Sequence, residues 1–537
     1  MSTATPTPMT PGAITAPGTR AVAPTTCPDQ AMLELLTDQL GAELLATTQR
    51  PASEDPHSAK ATVTRRAGTP DYHRWLAHVS STGGCQRPIR LAGHLHTINP
   101  GTGEILSSRS TETLPDGVVY VPCGDRRATV CPACAETYRA DTYHLIRAGL
   151  VGGKGVPDTV TQHPVVFATF TAPAFGPVHS RVIDRKTGRV KPCRMRRTVE
   201  RCRHGRVLAC PQRHPENATC VGQPLCPQCY DYDHHVVWNA WASELWRRTT
   251  ITAHRQLRDL SRAHGVRLRL SFAKVAEYQA RGLIHFHALI RLDAVDPNDP
   301  DAVLPPPPGI NAAHLDEVLS RAAASTSVIT PDHPRRPGGW TLSWGTQLDI
   351  RPVSFAGELT DTAVAGYLAK YATKATEATG HTSRRITPET IGAYAATATH
   401  AGRLIRTCWT LGHRPDDQHP ADWKHRGYGR LRRWAHMLGF GGHFTTKSRR
   451  YSTTRKALKN ARRDWQRAHH HNRRADFDTA EHTNDETTLV VGTLTYAGIG
   501  YRSIGDQWLA LTAAAQARER RQTTKEERAI DRPTERR

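Results

Sequence analysis

A chain of 537 residues is long enough for several domains, and its 72 Lys and Arg against 49 Asp and Glu leave a surplus of 23 positive charges before any histidine ionises. The surplus points to a polyphosphate partner, because it is concentrated: Lys424 to Arg474 holds sixteen basic residues and a single acid, Asp464. No run of about eighteen apolar residues occurs, and Met1 to Pro28 lacks a basic stretch followed by an apolar one, so a membrane partner and export are excluded and a cytoplasmic location is expected.

In chain order, residues 1–60 read as a mostly disordered Thr/Pro/Ala leader with one helix over Met32 to Leu45. Residues 61–158 form a cysteine-rich module, with Cys85, Cys123, Cys131 and Cys134 set among Gly and Pro turns. His163 to Thr171 is β-branched and aromatic and ends before Pro173, as a strand entering a loop does. A Cys/His-rich insertion follows at about 190–232. Trp238 to Leu260 has helical spacing, while Val266 to Tyr278 and Leu283 to Leu292 read as two strands joined by the turn Gln279 to Gly282. A helix over Ala312 to Ala324, a strand over Trp340 to Val353 and a helix over Thr362 to Thr376 complete an α+β domain spanning 159–400, an antiparallel sheet with helices on one face. Residues 401–475 form a basic segment with interleaved aromatics, suited to tracking a DNA backbone and stacking bases, and Arg432, Arg433, Lys447, Arg449 and Arg450 are its candidate phosphate contacts. No task is assigned to residues 476–537.

Two clusters carry chemistry. Strand alternation puts His285 and His287 on one face and Ile284, Phe286 and Ala288 on the other. Two imidazoles at that spacing chelate one divalent ion, and Glu277, across the short turn, stands where a carboxylate completes the site. In Tyr367-Leu-Ala-Lys370-Tyr371-Ala-Thr-Lys374 the two tyrosines and two lysines share one helical stripe, where an ordinary amphipathic helix would place Leu or Val. A phenol of ordinary pKa near 10 is a weak nucleophile that a neighbouring cation activates, so a phosphodiester is the natural target. Tyr371, with Lys370 and Lys374 on either side, ranks ahead of Tyr367.

The cysteines form the other signal. Cys131-x-x-Cys134 is a metal knuckle, and Cys123 and Cys85 supply the two further thiolates of a four-cysteine zinc site. Cys226-x-x-Cys229 is a second knuckle, whose partners come from Cys193, Cys202, His204, Cys210, His214 and Cys220. The preferred set is Cys202, Cys210, Cys226 and Cys229, with His204 and His214 able to displace one of them or to join a second ion. Such closed sites are structural.

His285-Phe-His287 followed by Tyr-x-x-Lys-Tyr-x-x-Lys resembles the HUH endonuclease superfamily, and Phe167 to Thr171 resembles its first motif. Together with Cys123 to Cys134, Pro224 to Tyr232 and Gly439 to Tyr451, the pattern over residues 80–455 resembles the replication initiators of actinobacterial integrative and conjugative plasmids. The resemblance implies an HUH-type nuclease in which His285, His287 and Glu277 hold Mg²⁺ or Mn²⁺, a tyrosine attacks origin DNA to leave a 5′-phosphotyrosine and a free 3′-hydroxyl, and the lysines clamp phosphate. The expected function is initiation of rolling-circle replication on plasmid origin DNA, double- or single-stranded. No Gly-x-x-x-x-Gly-Lys-Ser/Thr loop occurs, so a host helicase, with a host polymerase, is the expected partner. Two alternatives stay open: a relaxase or transposase with the same chemistry, and a zinc-dependent DNA-binding regulator without catalysis.

Overall fold

The structure, a computed structural model, describes residues 55–99, 101–184, 186–353, 361–373, 384–415, 422–423, 427–469 and 489–530. The expected leader helix and Lys374 lie outside these residues. The chain divides into two compact units, residues 1–76 with 500–537, and residues 77–499. In the smaller one, Ser58 caps the helix Ala59–Ala67, and Arg66 of that helix pairs with Asp506 of the helix Ile504–Ile530 at 2.8 Å. Among the described residues no helix is long and apolar enough to cross a membrane.

The larger unit holds two main sheets. In the first, Ile89–Ile98 pairs antiparallel with Ile105–Ser110, Val119–Val121 and Leu489–Ile499. The second is the scaffold of the site. Its strands are β1 (Val165–Phe170), β2 (Leu268–Tyr278), β3 (Ile284–Ala294), β4 (Leu348–Pro352) and β5 (Thr445–Lys447), in the order β4-β1-β3-β2-β5 with every pair antiparallel. The helices around it are α1 (Pro132–Val151), α2 (Tyr232–Ala263), α3 (Ala312–Ser325), α4 (Asp361–Tyr371) and α5 (His400–Leu411). Helix starts follow local chemistry: Asp231 accepts from His234 N at 3.0 Å to begin α2, and the Asn311 side chain accepts from Ala313 N to begin α3.

The helices expected on one face of the sheet cover both. Phe170, Leu270, Phe286 and Ile290 face Trp238 and Trp246 of α2 and Leu315 of α3, whereas Val165, Val275 and Leu289 face Ile146 and Leu150 of α1 and Val364 and Leu368 of α4. The reason is visible in β3, where Leu289 lies between polar residues on the second face and is fully buried, so that face also needs an apolar cover. Each such side chain contributes roughly 1.5–3 kcal/mol when buried.

The single strand expected over Trp340 to Val353 is two, because the chain leaves one sheet and enters another at Trp344-Gly345. Thr341–Ser343 pairs with Ser327–Ile329, and β4 pairs with β1. Gly345 donates its N–H to the Thr171 carbonyl at 2.8 Å, and a Cβ there would sit 2.6 Å from the Ala172 carbonyl oxygen.

At the end of β3 distant from the turn, Arg291 is wholly buried and its guanidinium meets both Asp293 oxygens at 2.6 and 3.1 Å. His163 Nδ1 (2.8 Å) and Ser271 Oγ (2.5 Å) reach the same carboxylate, and Arg291 also donates to the Gly149 and Tyr451 carbonyls. Burial raises the Asp293 carboxyl, but these partners outweigh it and hold the group below its ordinary range. This network ties β3 to α1 and to the segment after β5.

Candidate functional site

The register of the β2–β3 hairpin pairs Glu277 with His285 and Val275 with His287, and β1 brings Thr169 opposite His287. Period-2 alternation therefore puts Glu277, His285, His287 and Thr169 on one face at one end of the sheet. His285 Nε2 and His287 Nε2 lie 2.7 Å apart, and each is 3.1 Å from Glu277 Oε2. All three side chains are largely buried, with relative exposures of 13%, 6% and 15% for His285, His287 and Glu277. Burial raises the Glu277 carboxyl, and the hydrogen bonds from the two imidazoles overcome it and hold the group below its ordinary value; burial lowers the His287 imidazole.

Three lone-pair donors aimed at one point with edges of 2.7–3.1 Å fit a hard divalent ion. Donors at about 2.1 Å on adjacent octahedral positions stand about 3.0 Å apart, while a tetrahedral zinc site needs roughly 3.3 Å between nitrogens. Thr169 Oγ1, 3.0 Å from His287 Nδ1, orients the ring from behind. Sequence reasoning missed Thr169, although its position two residues after Phe167 put it on the same face.

Helix α4 lays its tyrosines over this face. Val364 and Leu368 are its buried side and, with Ala372 just past its end, pack with Ile146 and Leu150. Tyr367 Oη is 3.4 Å from His287 Nε2, and its ring meets Phe167 edge-on at 5.9 Å. The Tyr371 ring stands 4.5 Å from that of Tyr367 and 6.1 Å from that of His287. Tyr367, ranked second from the sequence, thus brings its hydroxyl to within 3.4 Å of an imidazole nitrogen. Burial raises both phenols above their ordinary value, and each lies close enough to the other and to Glu277 to feel them. Lys370 is exposed, on the solvent side of the helix. A second residue not foreseen is Arg126, from the loop between Cys123 and Cys131: it donates to the Ala372 carbonyl at 3.2 Å, at the end of α4, and stacks on Phe444 at 3.7 Å.

Nine of the described cysteines sort into three clusters, in each of which the four donor atoms lie within 4.8 Å of one another. Cys85, Cys123, Cys131 and Cys134 come together as expected from the sequence, with Cys123–Cys134 and Cys85–Cys131 at 3.6 and 3.8 Å. The second expected set is divided. Cys202, Cys226 and Cys229 meet His204, whose Nδ1 is 3.2 Å from Cys229 Sγ, while Cys210 joins His179, Cys193 and His214. Spacing could not make this choice, because both histidines and all the cysteines of the segment fall within reach of either knuckle. His179, upstream of the whole group, carried no motif that would single it out.

The basic candidates have partners of their own. Lys447 Nζ donates to the carbonyls of Ser448, Arg449 and Ser452, and Arg449 and Arg450 pair with Asp301 at 3.8 and 2.6 Å. Arg432 lies over Trp409 at 4.0 Å, and Arg432 and Arg433 line an open groove of about 440 Å³ with Arg414, Trp409 and Trp423.

Residues 71–515 match the family model described as "Replication initiator protein, pSAM2". A protein of Streptomyces ambofaciens named "Replication initiator protein" is 42% identical over 478 residues, covering 86% of this chain and 94% of the relative. No solved structure matches. The chain belongs to the pSAM2 family of replication initiator proteins.

Proposed function

We propose that this replication initiator is an HUH-type nickase, which cuts one strand of plasmid origin DNA by tyrosine attack and leaves a 3′-hydroxyl for rolling-circle synthesis. The observation that carries the reading is the convergence of His285, His287 and Glu277 beneath the hydroxyl of Tyr367. These three donors would hold Mg²⁺ or Mn²⁺, which when bound polarises a phosphodiester oxygen.

The chain's own residues do the rest. Tyr367 Oη forms a bond to phosphorus, the bond from phosphorus to the 3′-oxygen breaks, and the 3′-oxygen leaves as a hydroxyl by taking a proton from water. The phenol proton passes to water, which reaches Tyr367 because 40% of that residue is exposed. The product is a 5′-phosphotyrosine, and Tyr371, one helical turn away on the same face, is placed for a second cut. Lys370, and Lys374 beyond it, clamp the flanking phosphates. Thr169 and Arg126 are positioning residues, the first for His287 and the second for the end of α4. The groove of Arg414, Arg432, Arg433 and Trp409 carries single-stranded DNA by phosphate contact and stacking. Zinc at Cys85, Cys123, Cys131 and Cys134, and at Cys202, His204, Cys226 and Cys229, is structural. A host helicase opens the duplex and a host polymerase extends the primer.

The test is incubation of supercoiled plasmid carrying the neighbouring origin with wild type, Tyr367→Phe, Tyr371→Phe and the double variant, in Mn²⁺ or EDTA. The expected result is protein covalently joined to a 5′ end, abolished by EDTA and by the double substitution and reduced more by Tyr367→Phe than by Tyr371→Phe. Tight binding without a metal-dependent nick would overturn the catalytic reading and leave a zinc-dependent binding protein.

A further inference from the structure

The insertion between β1 and α2 contains two donor clusters whose ligands alternate in pairs along the chain. His179 and Cys193 serve one, Cys202 and His204 the other, Cys210 and His214 the first again, and Cys226 and Cys229 the second again. We propose that the insertion is a cross-braced module holding two zinc-type ions, one of them at a site formed by His179, Cys193, Cys210 and His214, and that neither ion stays without the other.

The donor atoms of that site already stand at the edges of a tetrahedron. With metal bonds of about 2.3 Å to sulfur and about 2.05 Å to nitrogen, the edges are about 3.3 Å between nitrogens and about 3.6 Å between nitrogen and sulfur. His179 Nδ1 and His214 Nε2 are 3.3 Å apart, Cys210 Sγ is 3.5 Å from His214 Nε2, and Cys193 Sγ is 3.9 Å from His179 Nδ1. These edges are longer than those of the Glu277, His285 and His287 trio, as a softer, four-coordinate ion requires. Outer contacts hold the donors in place: Ser180 N donates to Cys193 Sγ at 3.1 Å, and Cys220 Sγ lies 3.4 Å from His214 Nδ1, on the opposite side of the ring from the other three donors. Cys220 is therefore a neighbour of the site and not a ligand.

Among its described residues the insertion has backbone hydrogen bonds but little apolar core. Its strands, Val182–Ile183 and Val190–Lys191, are two residues each, and Val182, Ile183, Met195 and Val199 are 46–69% exposed. Its buried residues include Cys193, Cys210, Cys226 and His214, donors and not core. Because each cluster takes a pair from either side of the other's pair, emptying one frees both loops that the other must bring together. The module abuts the turn between β2 and β3. Gly222, at φ +87°, donates to the His179 carbonyl at 2.8 Å, and a Cβ on it would stand 2.4 Å from the backbone of Ala280.

Zinc counted per chain on the full-length protein decides the matter, measured in a His285→Ala/His287→Ala background so that the histidine pair holds none. About three ions are expected, one at the four-cysteine site and two in the insertion. Cys193→Ser/Cys210→Ser is expected to lose both insertion ions, Cys123→Ser/Cys134→Ser to lose one ion only, and Cys220→Ser to lose none. About two ions in the parent protein overturn the proposed site; a loss of only one, or none, in Cys193→Ser/Cys210→Ser overturns the interlock. Should that variant be insoluble, the parent protein reconstituted with Co²⁺ gives a second reading. Tetrahedral absorption rising to about three equivalents supports the proposal, and saturation at about two overturns it. Zinc counting reads no strand cleavage, so its failure leaves the nickase reading untouched.

Discussion

The two faces of the central sheet obey the same alternation and differ in what their polar residues are doing. The face toward α2 and α3 is apolar and aromatic, built around Phe170, Phe286, Trp246 and Ile290, and its one charged side chain there is Lys274 on β2, 3% exposed, with Nζ 3.7 Å from the centre of the Phe286 ring. The other face is polar at both ends and apolar in the middle: His285 and His287 near the turn, Leu289 between, then Arg291 and Asp293. At the far end the guanidinium, the imidazole Nδ1 and the hydroxyl all meet one carboxylate, that of Asp293. Near the turn two imidazole nitrogens and one carboxylate oxygen converge on one point, within 2.7–3.1 Å of one another. Buried polar residues that complete one another brace a fold, and those that converge without completion await a ligand.

The largest test of that contrast is Asp293→Ala. Arg291 would remain buried without its carboxylate, and a loss of roughly 3–5 kcal/mol in unfolding free energy is expected. Chemical denaturation measures it, and a change below about 1 kcal/mol would show the network to be dispensable. The dry face gives the opposite sign. Burial lowers Lys274 from its usual value of 10.5 to about 7, so as pH falls from 10.5 toward 7 the unfolded chain takes up a proton that the folded one refuses, and stability falls through that window and levels off below it. Lys274→Met should therefore stabilise by at most ~5 kcal/mol below neutral pH and by little above pH 10.5. Equal gains at both ends of the range would mean that packing alone is responsible. Smallest is Thr169→Val, which leaves the His287 ring without its orienting partner and should weaken Mn²⁺ affinity about tenfold with no change in zinc content. Calorimetric titration with Mn²⁺ reads it, and an unchanged affinity would assign Thr169 to packing.

Much of the site could be seen in the sequence because it rests on local rules. The hairpin turn and the period of two bring Glu277 to His285 and His287, and each Cys-x-x-Cys pair announces its knuckle. What escaped rests on long-range choices. His204 rather than Cys210 sits with Cys226 and Cys229 because the loops interleave, which no spacing encodes. The helical stripe of Tyr367, Lys370 and Tyr371 is legible, but which hydroxyl comes within reach of His287 depends on how α4 crosses β3. The alternation from Trp340 to Val353 continues through the point at which the chain changes sheets, so pattern alone joins what the fold separates.

The pairing of Leu489–Ile499 with Ile89–Ile98 bears on how the molecule is made. Thr493 donates to the His94 carbonyl across 399 positions of chain, so at ribosomal speeds of about 5–20 residues per second the early strand waits roughly 20–80 s for its partner. During that interval its edge is open on the nascent chain, and a product terminated before residue 489 keeps it open for good.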